Sequence, residues 1–438
     1  MNILLVSMAF PPKRDAESLQ VARIFSALAR TPGAQVDVVT SALPTLAMAT
    51  DEGLRRYAQG YRQLVEVDFF ESRYVNFAAF KLWPAAMHRP DSRFDFPRRW
   101  KTVARTLQAR PDVIYSRAFP LSSAIMGHRL ARHYGVPWVM HLSDPWTISP
   151  LHSIAPARRW NEEAEASCFD RADAITFTSR KTVDAYARRY PQHAAKLSVS
   201  PNVYEQEAVQ ANAWRRGTRL RFVYTGSLIA SRSPAPVIAA LAQLERQRPD
   251  IRRDIEVVFA GMADRPNAAL LADNTVGIRY LGEVPLQAAL KVQRQADVLL
   301  LIDSSFGNPA DAMFFPSKLL DYIVAGRRTI AVTDQDSTTW DIVGRLGLGD
   351  RVTHADVQGL CDAFVRSWEA WKREDGGWFE RTPGASELEA GFQAGRLMEL
   401  FRSVMAAGPR VAAAGGSEGT FRSSAWPATA DAGKEPLA

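Results

Sequence analysis

The sequence predicts an α/β chain made of two parallel-sheet domains. Three observations carry this. Short β-branched runs alternate with longer amphipathic stretches along most of the 438 residues. The strand runs are largely continuous apolar stretches rather than alternating ones, which argues for sheets covered by helices on both faces. The same strand–helix plan occurs twice, on either side of a segment without period.

In the first half the strands are NILLVS (2–7), QVDVVT (35–40), DVIYS (112–116), PWVMHL (137–142), AITFT (174–178) and KLSVS (196–200), with a weaker run near LVEVDFF (64–70). Between the first two, ESLQVARIFSALAR puts Val21, Phe25 and Leu28 on one helical face at spacings of four and three. The second half gives LRFVYT (220–225), IEVVFA (255–260), GIRYL (277–281), DVLLLI (297–302) and TIAVT (329–333), with a helix at APVIAALAQLERQ (235–247). The division is therefore a first domain at 1–203, a linker at 204–217 and a second domain at 218–385. A helix follows at 386–407, on which Phe392, Leu397, Leu400, Phe401 and Val404 share a side. Residues 408–438 are small residues and prolines, too poor in apolar area to offset ordering, and are expected to be disordered.

Composition narrows the class. At 47% hydrophobic and 23% charged residues the bulk of the chain is globular. The first apolar run, Asn2 to Phe10, stops at Pro11 and Pro12, far short of the ~20 residues of a membrane span. It lacks the basic start and cleavage site of a leader, so a cytoplasmic protein is expected. Cys168 and Cys361 match no metal spacing and are too few for a disulfide scaffold; two buried thiols are expected. The 54 basic and 47 acidic residues leave a net charge of +7. That mild excess fits an acidic small molecule, an anionic membrane surface or no particular partner, and a nucleic-acid binder concentrates its charge more strongly.

Ligands of doubly wound sheets bind beyond the carboxyl ends of the strands, so two such domains place the site in the cleft between them. The loop after the first strand, MAFPPKRDAES (8–18), has no glycine, which disfavours a dinucleotide fold. Neither a Walker loop nor a GxSxG elbow occurs. After LRFVYT, Gly226 permits a tight turn and Arg232 precedes a helix start near Pro234; an arginine there is a phosphate clamp or a solvated surface residue. In FFPSKLLDYIVAGRRTIAVT (314–333), Pro316 opens a helix that Gly326 stops. Its Ser317, Lys318 and Asp321 either hold a phosphate and a ribose hydroxyl or decorate a structural helix. PWVMHLSDPW (137–146) brings His141, Ser143 and Asp144 to a strand end, for proton transfer or for capping. Asp334-Gln335-Asp336 has the letters of a metal motif but falls where a surface turn is expected, so no metal is expected. The stretch 77–110 mixes Phe, Trp and Leu with basic residues, seven of them from Arg89 to Arg110, and fits either an anionic lipid surface or a solvated helix face.

Taken together, FPP (10–12), ADAITFTSRKTVDAYARRYP (172–191) with SPN (200–202), YTGSLIASRSP (224–234) and PSKLLDYIVAGRRTIAV (316–332) resemble the family 4 (group 1) glycosyltransferases of the GT-B fold. HLSDPW (141–146) is similar to a segment of one bacterial branch. The resemblance implies two Rossmann-like domains facing across a cleft, with the C-terminal helix crossing back to the first. It implies a nucleoside-diphosphate sugar donor in the second domain and a glycan or polyprenyl-diphosphate-linked acceptor in the first, without cofactor or metal. Retaining transfer in bacterial surface polysaccharide synthesis follows from the same likeness, in the cytoplasm or at the inner face of the plasma membrane. Position by position, Arg232 stands for the phosphate-binding cation and Asp321 for the glutamate that grips the ribose. Gly226, Ser317 and Lys318 would face the pyrophosphate, and His141 or Asp144 the transferred sugar or acceptor hydroxyl. The chain departs from the family at Met313, where a first glutamate is usual, at Ser227, where an arginine is usual, and at KRDAES (13–18), where glycines are usual. Two other readings stay open: a nucleotide-sugar epimerase on this fold, and a non-catalytic partner of a transferase.

Overall fold

The computed structural model describes residues 1–43, 49–149, 155–205, 213–273, 275–307, 312–380 and 386–408. The first domain carries strands β1 (Asn2–Val6), β2 (Gln35–Ser41), β3 (Gln63–Val67), β4 (Val113–Ala118), β5 (Trp138–Leu142), β6 (Ala174–Phe177) and β7 (Leu197–Val199). They form one parallel sheet in the order β3-β2-β1-β4-β5-β6-β7. The second domain carries β8 (Leu220–Thr225), β9 (Ile255–Ala260), β10 (Ile278–Tyr280), β11 (Val298–Ile302), β12 (Arg328–Val332) and β13 (Gly349–Val352). Its parallel order is β10-β9-β8-β11-β12-β13. The sequence reading lacked β13. GDRV carries a glycine and two charged residues, and only Val352 is buried, so this edge strand has no apolar run to reveal it.

The helices used below are α1 (Ala16–Ala29), α2 (Arg73–Leu82), α3 (Ser122–Tyr134), α4 (Arg158–Arg171), α5 (Arg180–Arg189), α6 (Ala235–Gln247), α7 (Lys318–Ala325) and α8 (Ala390–Ala407). Each sheet is covered on both faces. In β1, Leu4 and Val6 join the core under α3 and α4, while Ile3 and Leu5 join the core under α1 and α8. The second sheet divides likewise, Phe222 and Tyr224 to one side and Val223 to the other. Both cysteines are free and buried.

Helix α8 crosses back onto the first domain. Ala394, Leu397, Met398 and Phe401 pack with Val21, Phe25 and Ile3. Phe392, placed on that side by the sequence reading, is 47% exposed instead. Five residues separate it from Leu397, and at 3.6 residues per turn that carries it well off the buried stripe. The chain re-enters beside its own linker: Tyr204 N–H donates to Leu388 C=O at 2.9 Å and Ala390 N–H to Tyr204 C=O at 2.8 Å. Residues 206–212 of the expected linker, and 409–438 of the expected tail, lie outside the described residues. Among the described residues no helix is long and apolar enough to cross a membrane.

Candidate active site in the interdomain cleft

In each sheet the crossovers diverge on either side of a pair of central strands, β1 and β4 in the first domain, β8 and β11 in the second. The loops beyond these strand ends face one another. Between them lies a cavity of about 630 Å³. Asp15, Glu17, Gln20, His88, Asp144 and Asn202 are among its first-domain walls, and Phe315 and Ser317 come from the second domain. Of the residues singled out in the sequence, Asp144 and Ser317 thus share one cavity from opposite domains.

The second-domain cations sit together behind Ser317. Gly226 follows β8 with φ +125°. A Cβ there would lie 2.7 Å from Lys318 Nζ, so the glycine is what lets the ammonium reach the turn. Lys318, first residue of α7, donates to Tyr224 Oη at 2.8 Å and lies 4.5 Å over that ring. Burial, and then the nearby Arg232, push its ammonium well below the usual lysine value. Arg232 enters from just before α6, its guanidinium 3.6 Å from Asp303, while its buried Nε has no protein partner. Lys318 and Arg232 therefore concentrate positive charge behind the Gly226 turn, with Asp303 as the nearby carboxylate. Helix α7 ends as expected at Gly326 in the left-handed region, with φ +65°.

Asp321 faces the domain boundary. Its Oδ1 accepts from Arg23 Nη2 of α1 at 3.1 Å. Arg23 also donates to the Val203 carbonyl at 3.1 Å. Burial raises the Asp321 carboxyl and the Arg23 charge opposes this. The carboxylate keeps Oδ2 outside the ion pair. Met313, where the family glutamate is missing, is buried; its carbonyl accepts from Ser179 Oγ of the α5 N-cap at 2.7 Å. The loop before α7 is thus tied to the first domain through backbone.

His141 is not in the cleft. Its ring is fully buried, Nδ1 lies 2.9 Å from Thr176 Oγ1, and the ring meets Tyr115 edge-on at 6.5 Å. Burial, aided by Arg117, holds the imidazole well below its ordinary value and therefore neutral. The reason is positional: β5 runs to Leu142, so His141 is one residue inside the strand and only Ser143 and Asp144 emerge into the cavity.

The structure adds residues that sequence reasoning missed. Arg117, buried in β4, donates from Nε to Glu17 Oε1 at 3.0 Å. Burial raises the Glu17 carboxyl, against the pull of Arg117. Gln20 uses its Oε1 on the Val203 amide at 2.7 Å and leaves Nε2 without a protein partner; Asn202 Oδ1 is also unpartnered. Orphan buried polar atoms carry a cost unless something pairs with them. Those of Gln20 and Asn202 border the cavity, where a polyhydroxylated ligand supplies the missing bonds. One signal was available: Glu17 and Gln20 open the helix after the first strand, and Asn202 belongs to SPN.

The Asp334-Gln335-Asp336 turn is engaged otherwise. Asp334 accepts from Ser305 Oγ at 3.1 Å and from the Phe306 amide at 3.0 Å. Among the described residues no three acidic, histidine or cysteine side chains form a metal-sized group.

Comparison with known proteins agrees with this architecture. The family model of the glycosyl transferase 4-like domain matches residues 18–203. No curated protein sequence matches the chain significantly. Among solved structures, sucrose-phosphate synthase from Thermosynechococcus elongatus is 17% identical with a TM-score of 0.63, covering 93% of this chain and 100% of that one. A trehalose-6-phosphate protein from E. coli bound with UDP-2-fluoro glucose is 14% identical with a TM-score of 0.62, covering 94% and 100%. A structure reported as a UDP-N-acetylglucosamine 2-epimerase from Listeria monocytogenes is 13% identical with a TM-score of 0.57, covering 93% and 98%. Residues 18–203 thus match the glycosyl transferase 4-like domain, and they are set in a chain with the two-domain GT-B fold.

Proposed function

We propose that the protein transfers a hexosyl group from a nucleoside-diphosphate sugar to a lipid-linked glycan, with retention at the anomeric carbon, in bacterial surface polysaccharide synthesis. The observation that carries the donor half is the pairing of Lys318 and Arg232 around Gly226. Their charges offset the negative charge that builds on the leaving diphosphate, without a divalent metal. Asp321 grips the ribose through Oδ2 while Arg23 holds Oδ1. Glu17, Gln20, Asp144 and Asn202 bind hydroxyls of the reacting sugar or the acceptor. Work takes place at the inner face of the plasma membrane.

The test is a thermal-shift series of the pure protein with UDP, GDP, ADP, TDP and CMP. A ligand that binds only the folded state raises the midpoint by mass action. One nucleotide is expected to shift it, and Arg232→Ala to remove that shift while the unliganded midpoint stays. No shift with any nucleotide would favour a non-catalytic partner, the reading that Met313 keeps open. The epimerase likeness favours a second reading, and donor incubated without acceptor separates the two: an epimerase turns it over, a transferase does not.

Arg23 is a positioning residue in this reading. Arg23→Gln should raise the donor KM by about tenfold and leave kcat within a few-fold, because it frees the carboxylate without touching the transferred sugar. An unchanged KM would remove Asp321 from the ribose.

A further inference from the structure

Among the described residues, exposed large hydrophobic side chains concentrate on helix α2 and its flanks. Of its described side chains only Ala79 is buried. Tyr74 is 87% exposed, Phe77 63% and Leu82 67%, and Trp83 just beyond is 62% exposed. Val75 and Phe80 are exposed as well. At about 100° per residue these side chains cover more than half of the helix circumference. A contiguous apolar surface of this kind on a water-soluble fold marks a contact. Ten residues make a helix of roughly 15 Å, too short to cross a bilayer of ~30 Å.

Charge identifies the partner. Lys81 extends from the same helix, its Nζ 4.7 Å over the Phe77 ring. The foot of the helix meets a basic turn: Phe70 N–H donates to Asp95 at 2.9 Å and Phe69 packs edge-on against Phe96 at 6.0 Å. Arg98, Arg99 and Lys101 follow at once and are exposed, and Arg89 is exposed beyond Trp83. Asp68, Glu71, Asp91 and Asp95 are the acids nearby in sequence; Asp91 is already held by Ser122 N–H at 2.9 Å and Oγ at 2.7 Å, and Asp95 is paired with Arg99 at 2.8 Å. The cations outnumber the acids. Tryptophan, tyrosine and lysine around an apolar centre are the residues that sit at headgroup depth. A convex helix exposed on most of its circumference needs a groove in any protein partner, but lipid surrounds it without one.

We infer that α2 seats the first domain on an anionic bilayer, lying in the plane of the interface with Tyr74, Phe77, Leu82 and Trp83 in the acyl boundary and the cations at the headgroups. This differs from the expectation drawn from 77–110, because the apolar contact comes from Phe70 to Trp83 and the basic turn only flanks it. The seat is continuous with the cleft. Phe80 lines the cavity and packs edge-on at 5.4 Å against His88, which lines it too. A lipid-linked acceptor rising from the bilayer would reach Asp144 and Glu17 past these two rings. The inference rests on the proposed lipid-linked acceptor only for its purpose; the binding itself is measured without any substrate.

The experiment is sedimentation of the full chain with vesicles of phosphatidylglycerol and phosphatidylcholine, beside vesicles of phosphatidylcholine alone. The wild type should pellet with the anionic vesicles, and Phe77→Ser combined with Leu82→Ser and Trp83→Ser should lower partitioning about tenfold or more. Lys81→Glu should lower it less, and added salt should weaken the wild type. The triple variant should keep the wild-type melting midpoint and its nucleotide shift, since none of the three residues lines the cavity. A wild type that stays in the supernatant, or a triple variant that pellets equally, would overturn the inference. So would a solution dimer that the triple variant converts to monomer, because the helix would then be covered by a second copy. A nucleotide shift without vesicle binding would sink the seat alone; vesicle binding without any nucleotide shift would sink the donor reading alone.

Discussion

Lys318→Ala should lower kcat/KM for the donor by about a hundred- to a thousandfold while leaving the melting midpoint nearly unchanged. In the unliganded protein its charge is met, among the described residues, only by the Tyr224 hydroxyl and ring and by the nearby Asp303. Among the described residues Lys318 forms no ion pair, and its ammonium is spent on one tyrosine hydroxyl and ring. Burial and Arg232 already disfavour the charged form. A diphosphate placed between the two cations reverses that balance and pulls the proton back. The sign follows: the folded pKa is depressed without ligand and raised with it, so donor binding takes up a proton. The donor KM should therefore climb as pH rises above the depressed value. Calorimetry in two buffers of different ionisation enthalpy should register proton uptake in the wild type and none through this group in Lys318→Ala. Gly226→Ala should reproduce much of the loss, because its Cβ would sit 2.7 Å from Nζ at a φ of +125°. Full activity in Lys318→Ala would remove the donor site from the α7 N-terminus.

The sequence made visible what local pattern encodes. Apolar runs marked every strand except β13, and glycine and proline bounded α7. What stayed hidden has physical reasons. In β5 both faces are buried, so alternation along PWVMHL cannot say which side chains reach a ligand; only the strand end decides, and it excludes His141. The Arg23–Asp321 pair joins residues 298 apart, so no window of sequence holds it. The Glu17–Arg117 pair spans 100 residues for the same reason. Helix α2 was half visible: its aromatic residues could be read, but not that the fold would leave them without cover.

The second large effect concerns stability and reaches the site through one loop. Glu165 of α4 is fully buried. It accepts from the Thr147 amide at 2.9 Å, Thr147 Oγ1 at 2.6 Å, Tyr186 Oη at 2.8 Å and Tyr190 Oη at 2.9 Å, with Arg189 3.4 Å away. Tyr186 Oη in turn accepts from the Trp146 amide at 2.7 Å. Trp146 Nε1 donates to Asn161 at 2.8 Å, and Asn161 donates to the His88 carbonyl at 2.6 Å. One carboxylate therefore fixes the turn that follows β5, and with it both Asp144 and His88 in the cavity wall. Glu165→Leu leaves four donors and a guanidinium without their acceptor. It should cost about 3–5 kcal/mol, seen as a fall of roughly 6–20 °C in the first domain's melting midpoint. Glu165→Gln keeps the shape but turns one acceptor into a donor facing donors, and should cost about 1–3 kcal/mol. Because the turn carries Asp144, the Gln variant should lose turnover even where it stays folded, while its nucleotide shift, which depends on Lys318 and Arg232 in the other domain, persists. If both variants melt with the wild type, the network is not what holds the turn. If Glu165→Gln keeps full turnover, Asp144 does not need that turn to be fixed.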